Sequence, residues 1–291
     1  MPKSFENKKQ LRFVITLGTG KFGSSDNNQI TLQGYRSSAH VDKAGGVQMS
    51  TLRAQIYGMS ESDMNSATTL QWKNQGYLLN TIEVYAIDGA QETLIYRGNI
   101  INAWPDFRGM PEVYFSIQAM GGYTQKLQAA APISFKGATN VATVMEQLAG
   151  RMGYAFENNG VDMPLSDIYL ANTSLEQAKR LAWMAGVDLY VDDTVLAIMP
   201  KGQPRVAQVP VISRESGLVG YPTYDAWGVN FRCLFNPSIT FGGAVQLETD
   251  LAQARGQWIV TSLSHHLQAE TPGGAWFSHV RGNGGNFAII H

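Results

Sequence analysis

The sequence predicts a mainly β protein with a small α+β insert in its middle. Residues 1–131 and 204–291 carry short runs rich in β-branched and aromatic residues, and several of these runs alternate apolar and polar side chains, the period of a half-buried strand. Residues 132–203 instead hold two stretches in which apolar residues recur at the helical period. We therefore expect three domains with these boundaries, the middle one of α+β type.

In the first β region, 1–131, strands are expected at 11–17, 29–33, 50–57, 80–87 and 93–97. Asp88-Gly89 lies between the last two and predicts a tight hairpin. One short helix is expected at 60–70, because Ser60 is a good N-cap and the acids Glu61 and Asp63 follow it.

The middle region predicts two helices and three strands. The first helix, 139–152, ends at Gly153 and places its apolar residues on one face: Val141, Val144, Met145, Leu148 and Met152. The second, 174–185, ends at Gly186, with Ser174 and Gln177 as an expected capping box. The strands are expected at 168–170, 188–192 and 195–199, the last two joined by a turn at Asp193-Thr194.

The last region returns to strands after a linker at 202–205. They are expected at 229–235, 244–249, 257–267 and 274–280, the last two joined through 270–274. This long hairpin resembles the one formed by 96–104 and 112–117, and both carry an aromatic pair on the return strand, Tyr114-Phe115 and Trp276-Phe277. We interpret the two β regions as related barrels, with two unrelated hairpins as the alternative.

Composition limits the classes of function. Only 15% of the 291 residues are charged, which predicts a surface buried against partners or a surface of uncharged polar residues. The net charge of −1 argues against sequence-independent DNA binding. Cys233, the single cysteine, is expected to be a buried hydrophobic residue. No apolar run has the length of a membrane helix and no signal segment is expected, so we expect folding in a cytoplasm without ordinary secretion.

Two patterns suggest binding chemistry. Gly18-Thr-Gly-Lys-Phe-Gly23 matches a dinucleotide-binding pattern with Asp42 downstream, but loop residues and a strand follow where a helix is required. His265, His266 and His279, with Glu270 in the hairpin, could suggest a metal site. Adjacent strand residues point to opposite faces, so only one of the first two histidines can lie beside His279.

Hydrolytic chemistry has no assignable residues either. No G-x-S-x-G motif is present. Aspartates concentrate in the middle region, where a glycan hydrolase would need an opposed pair: Asp162, Asp167, Asp188, Asp192 and Asp193. Asp192-Asp193 falls at a turn, where aspartate is favoured for backbone reasons. We therefore expect no enzyme, and assign no catalytic, cofactor-binding or metal-binding residue.

The last region resembles a known family. The stretch Ser216-Gly-Leu-Val-Gly-Tyr-Pro222, the run 228–247 with its Leu-Phe-Asn-Pro strand end, and the closing hairpin from Gly256 are similar to baseplate hub proteins of contractile-tailed bacteriophages. The resemblance is moderately specific over 204–283 and weaker over the first β region. Its motifs are turn residues and strand ends, so it carries over no catalytic residue.

This resemblance implies two tail-tube-like β-barrels flanking the small α+β domain. It implies a structural virion protein of the tail baseplate, assembled in the host cytoplasm as a homotrimeric ring. The ring would join the tail tube protein to the central spike and other baseplate proteins, and DNA would pass its lumen without specific binding. Two alternatives remain open: a cell-wall-binding or wall-degrading tail-tip module whose 132–202 insert resembles a LysM-type fold, and a type VI secretion spike hub. The second usually continues into a needle domain, whereas this sequence ends at His291.

Overall fold

The computed structural model describes residues 8–23, 27–44, 49–70, 80–123, 125, 129–205 and 208–284. These residues form eighteen strands and three helices, so the chain is mainly β, as predicted. The described helices are all too short or too polar to cross a membrane.

The described residues of the first β region include seven strands and a short helix. All five expected strands are present, although β6 is much longer than predicted. In chain order the seven strands are β1 (Lys9–Thr16), β2 (Gln29–Gln33), β3 (Ser37–Ala44), β4 (Thr51–Tyr57), β5 (Thr81–Asp88), β6 (Gln91–Asp106) and β7 (Tyr114–Met120). Strand β3 was not predicted, and it is rich in polar residues. Helix α1 (Glu61–Ala67) begins after Ser60, whose hydroxyl accepts a hydrogen bond from the Asp63 amide at 3.1 Å.

The middle region has two longer helices among five strands. In chain order these are β8 (Ile133–Asn140), α2 (Val141–Met152), β9 (Ala155–Asn158), β10 (Pro164–Leu170), α3 (Ser174–Ala185), β11 (Val187–Asp192) and β12 (Val195–Pro200). The five predicted apolar residues of α2 are all buried. Gly153 and Gly186 end the helices in the left-handed conformation, at the predicted positions.

The predicted start of α2 and the predicted capping box of α3 need correction. Helix α2 begins after Asn140, whose side chain accepts from the Ala142 amide, because 139 and 140 still belong to β8. The cap of α3 is Thr173, whose hydroxyl accepts from the Glu176 amide at 3.4 Å. The expected pair of Ser174 and Gln177 is wrong because Ser174 is already helical, whereas Thr173 has the extended backbone of a cap.

The last region contains six strands. They are β13 (Val211–Ile212), β14 (Leu218–Asp225), β15 (Gly228–Leu234), β16 (Ala244–Leu247), β17 (Gly256–Ala269) and β18 (Trp276–Asn283). Strands β17 and β18 form the predicted long hairpin. Strands β6 and β7 form the other, and the register of each hairpin contains one irregularity typical of a β-bulge.

One sheet joins the first and last β regions. Its order is β14-β15-β18-β17-β3-β4-β7-β6-β5-β1-β2, with β16 pairing to β17 and β13 to β16. The connection is the antiparallel pair of β17 and β3, in register from Ser262 opposite Ala44 to Ala269 opposite Ser37. Residues more than two hundred positions apart therefore become neighbours.

The buried apolar residues form three clusters. One lies in the middle region and includes Met145 and Leu181. A second lies in the last region around Val260. The third is built on the first β region but also takes in Trp276 and Leu267 from the last region. The three-domain division at 131 and 203 stays a prediction.

Candidate interaction surfaces

One face of the continuous sheet is polar across six neighbouring strands. In β15, β18, β17, β3, β4 and β7 the residues of one face are buried, and those of the other are half-buried or exposed. We call this second face the polar face; its residues include Ser38, His40, Asp42, Arg53, Gln55, Ser116, Gln118, Asn230, Arg232, Ser264, His266, Gln268, His279 and Arg281. Uncharged amide and hydroxyl side chains make up much of it. Asp42 is its only acid in the described part of these six strands.

Three histidines lie together on the polar face. His266 lies directly opposite His40 across β17 and β3, with 3.7 Å between ring centroids, and 4.9 Å separates the rings of His266 and His279. His40 Nε2 lies 3.0 Å from an Asp42 carboxylate oxygen. No group of three histidine, cysteine or acidic side chains among the described residues is arranged to hold a metal ion.

The alternation expected for His265 and His266 is confirmed. His265 points into the core, where its Nδ1 lies 2.9 Å from the Ser278 hydroxyl. Glu270 joins neither histidine; it pairs with Lys8 at 2.8 Å and accepts from Gln10 at 3.2 Å.

Burial governs the electrostatics of these histidines. It lowers the pKa of His265 to about 3, and nearby Lys43 adds to the effect. Burial also lowers the pKa of His266 and of His279, each helped by neighbouring cationic groups. Near neutral pH the rings of His265, His266 and His279 are therefore mostly uncharged.

A buried cluster of charges joins three distant parts of the chain. We call it the charge junction: Lys43, Glu157, Asp192, Asp193 and Arg205. The ammonium group of Lys43, on β3, lies 2.7 Å from the Asp192 carboxylate and 2.8 Å from that of Asp193, at the turn between β11 and β12. The first β region is thereby tied to the middle region.

Arg205 extends the junction to the last region. Its guanidinium group lies 2.7 Å from Glu157 and 3.1 Å from Asp192, and it donates to the Phe241 carbonyl at 3.0 Å. Only 8% of its side chain is exposed. The prediction of a linker at 202–205 was therefore wrong for Arg205, which bonds to residues of both the middle region and the last region.

The junction shifts the ionisation of its members. Burial opposes charge on Lys43, but the carboxylates of Asp193 and Asp192 outweigh it and raise the Lys43 pKa. Burial also opposes charge on Asp192, yet Lys43 and Arg205 hold its pKa below the ordinary value. The pKa of Asp193 is raised by burial and by adjacent Asp192, so one of the two carboxylates takes up a proton first.

The other aspartates of the middle region make local structural bonds. Asp162 accepts from the Asn140 side chain at 2.7 Å, Asp167 from the Gly137 amide at 2.9 Å, and Asp188 from the Gly202 amide at 2.8 Å. Asp193 has a φ of 52°, which fits the predicted turn. Its salt bridge to Lys43 had no sequence signal, because the two residues are far apart in the chain.

The remaining sequence-predicted features have structural roles. Gly18 to Gly23 form turns and bends, and Phe22 is buried; residues 24–26 lie outside the described part of the chain. The residues described on either side belong to no helix, and Asp42 bonds to His40, so these residues do not build a dinucleotide site. Cys233 is buried as expected, and burial raises its pKa to about 12.

The two ends of the sheet are the remaining surface of interest. Strands β14 and β2 each have a single strand partner among the described residues. Three aromatic side chains are exposed on or beside β14: Tyr221 (71%), Tyr224 (50%) and Trp227 (64%). Exposed aromatic residues on an unpaired edge are typical of an association surface.

A family model and solved structures match the chain. The family described as Baseplate hub gp41 matches residues 12–272. No curated relative matches in sequence. A tail protein from Neisseria meningitidis MC58 has a similar fold, with a TM-score of 0.61 at 9% identity, covering 94% of this chain and 96% of its own.

Two further structures show the same likeness. A 43 kDa prophage MuSo2 tail protein from Shewanella oneidensis gives a TM-score of 0.61 at 9% identity, covering 96% of this chain and 97% of its own. An E. coli component of the type VI secretion system is described as similar in structure to the T4 tail proteins gp27 and gp5. It gives a TM-score of 0.55 at 8% identity, covering 86% of this chain and 73% of its own. At these identities the likeness concerns the fold.

Proposed function

Because the chain belongs to the Baseplate hub gp41 family, we propose that it forms a homotrimeric ring in a contractile phage tail, joining the tail tube to the central spike. The family match over 12–272 carries this proposal. It makes the chain a structural component of the tail baseplate in the virion. The ring, its stoichiometry and the passage of DNA are the proposed part.

The two β regions supply the proposed barrels. In this account they are tail-tube-like domains that share the β17–β3 seam, and the α+β region is held beside them by the charge junction. Three copies would present six barrels, which fits a sixfold tube on one side and a threefold spike on the other. The long hairpins β6–β7 and β17–β18 support the proposed duplication.

The ends of the sheet supply the proposed contact between copies. The β14 end of one copy would meet the β2 end of the next, a head-to-tail contact that can close into a ring. Burying Tyr221, Tyr224 and Trp227 there would remove exposed aromatic surface. A stable contact of this kind buries roughly 1,600 Å² in total.

The polar face is the proposed lining of the lumen. Amide and hydroxyl side chains interact weakly with a phosphate backbone, whose tight binding depends on many lysine and arginine contacts. Near neutral pH a face of this composition would bind DNA only weakly and let it pass. The tail tube protein, the spike and other baseplate proteins are the proposed partners.

Size-exclusion chromatography with light scattering tests the proposal on the purified chain. We expect the mass of three copies, with dissociation on dilution. A monomer that persists at high protein concentration would contradict the ring.

A hub of a type VI secretion spike is the second candidate, favoured by the fold likeness to the E. coli component. The neighbouring genes distinguish the two, because tail tube, sheath and lysis genes belong to a phage. A wall-binding role for the middle region is tested by peptidoglycan pull-down; Trp183 (73% exposed) and Tyr169 (64%) are the aromatic side chains to replace.

A further inference from the structure

A row of basic side chains crosses the polar face. Arg53 on β4 lies opposite His40 on β3, which lies opposite His266 on β17. The row then steps diagonally to His279 on β18, which lies opposite Arg232 on β15. We call these five residues the cationic row; each of five consecutive strands contributes one.

The row has the dimensions of a short nucleic-acid segment. Neighbouring strands lie about 4.8 Å apart, so five strands span about 19 Å. One strand of a duplex carries a phosphate about every 3.4 Å of axis, so the row is long enough to face several consecutive phosphates. All five side chains are half-buried or exposed on the same face.

Few acidic side chains lie close enough to the cationic row to neutralise it. Asp42, on β3, is hydrogen-bonded to His40. Arg281, on β18, is paired with Asp225 at 2.6 Å, whereas β7 presents Ser116 and Gln118. Lys43 and His265 lie beneath the row on the buried side. The row has two guanidinium groups against the one carboxylate of Asp42, and protonation of His266 and His279 adds two positive charges.

We propose that the cationic row binds phosphodiester backbones and that His266 and His279 bind protons when it does so. The proposal rests on the proposed function for its biological role, because it places the row in the lumen. Burial keeps the pKa of His266 and of His279 below the ordinary 6.5, so these two rings are mostly uncharged near neutral pH. A bound anion stabilises the protonated rings, so affinity rises as the pH falls.

Fluorescence anisotropy of a labelled single-stranded oligodeoxythymidylate with the full chain tests this. We expect binding at about pH 5.5 to be at least about tenfold tighter than at about pH 8, and to weaken with added salt. The variant H40Q/H266Q/H279Q should lose the pH dependence. The matched control K136Q/R214Q, which removes two exposed positive charges outside the row, should keep it.

Several results would overturn the site. Equal affinity at both pH values would do so, as would an unchanged pH response in the triple variant. An equal loss in the control would assign the effect to net charge. If the triple variant melts early, R53Q/R232Q replaces it and should weaken binding at both pH values; unchanged binding would count against the row. A monomer that still shows the pH response would contradict the ring but leave the row standing.

Discussion

Lys43 is the residue that ties the first β region to the middle region. Its side chain projects from β3 on the buried side of the sheet, and its ammonium nitrogen lies 2.7 Å from the Asp192 carboxylate and 2.8 Å from that of Asp193. Its side chain is only 12% exposed, so water compensates little for a lost partner. Buried ion pairs of this kind are costly to break from one side, because the remaining charge stays desolvated.

Replacing Lys43 with methionine should therefore destabilise the protein by about 3–5 kcal/mol. Urea unfolding followed by tryptophan fluorescence measures the effect. Lys136→Met, at an exposed position, should change stability by no more than about 0.5 kcal/mol. Adding Asp192→Asn and Asp193→Asn to Lys43→Met should restore part of the loss; no recovery would show that the carboxylates are not what the lysine neutralises.

His265 should make stability depend on pH. Its pKa is lowered in the folded state to about 3 from 6.5, so the unfolded chain binds a proton first as the pH falls. Its contribution is complete above about pH 6.5 and is lost at about 1.4 kcal/mol per pH unit below that.

The variant His265→Gln keeps a polar partner for Ser278 but does not titrate. Between about pH 7 and pH 5 it should lose roughly 2 kcal/mol less unfolding free energy than the parent chain. Denaturant titrations at the two pH values measure this. Equal losses in both proteins would show that His265 is not the responsible group.

At the scale of elements, local patterns predicted the helices and most long strands. The apolar face of α2 and the glycines after α2 and α3 follow from residue spacing and from glycine's tolerance of positive φ. Strand β3 was missed because its buried positions hold the small residues Ser37 and Ala39 beside Val41. Such a strand gains its stability from pairing with β4 and β17, which local sequence does not encode.

The cap of α3 provides a test at this scale. Thr173→Ala removes the hydroxyl that accepts from the Glu176 amide and should cost about 1 kcal/mol. Ser174→Ala, one residue later, should cost clearly less, because Ser174 is the first helical residue. Thermal unfolding of both variants measures the difference; a larger loss in Ser174→Ala would place the cap where the sequence first suggested.

At the scale of the whole molecule, long-range contacts were what the sequence could not predict. The seam between β17 and β3 and the salt bridge from Lys43 to Asp192 join residues far apart in the chain. The histidine cluster was predicted in part. The alternation of side chains along a strand correctly placed His265 and His266 on opposite faces of the sheet. His40 was missed because it becomes their neighbour only through that seam.

Assembly should depend on the exposed aromatic residues at the β14 end. Trp227→Ala should shift the monomer–trimer equilibrium towards monomer by about tenfold or more in concentration, because it removes a large side chain from the proposed contact. Trp183→Ala is the matched control: this tryptophan is similarly exposed but lies on α3. Sedimentation velocity over a dilution series compares them; equal behaviour of both variants would remove β14 from the interface.

The central claim is that three copies form a ring whose lumen is lined by the polar face. Electron cryomicroscopy of the assembled particle tests it most directly. We expect three copies around the tail axis, with β14 of one copy beside β2 of the next and with His266 and Gln118 facing the lumen. A ring with the polar face turned outward, or this chain placed away from the axis, would contradict it.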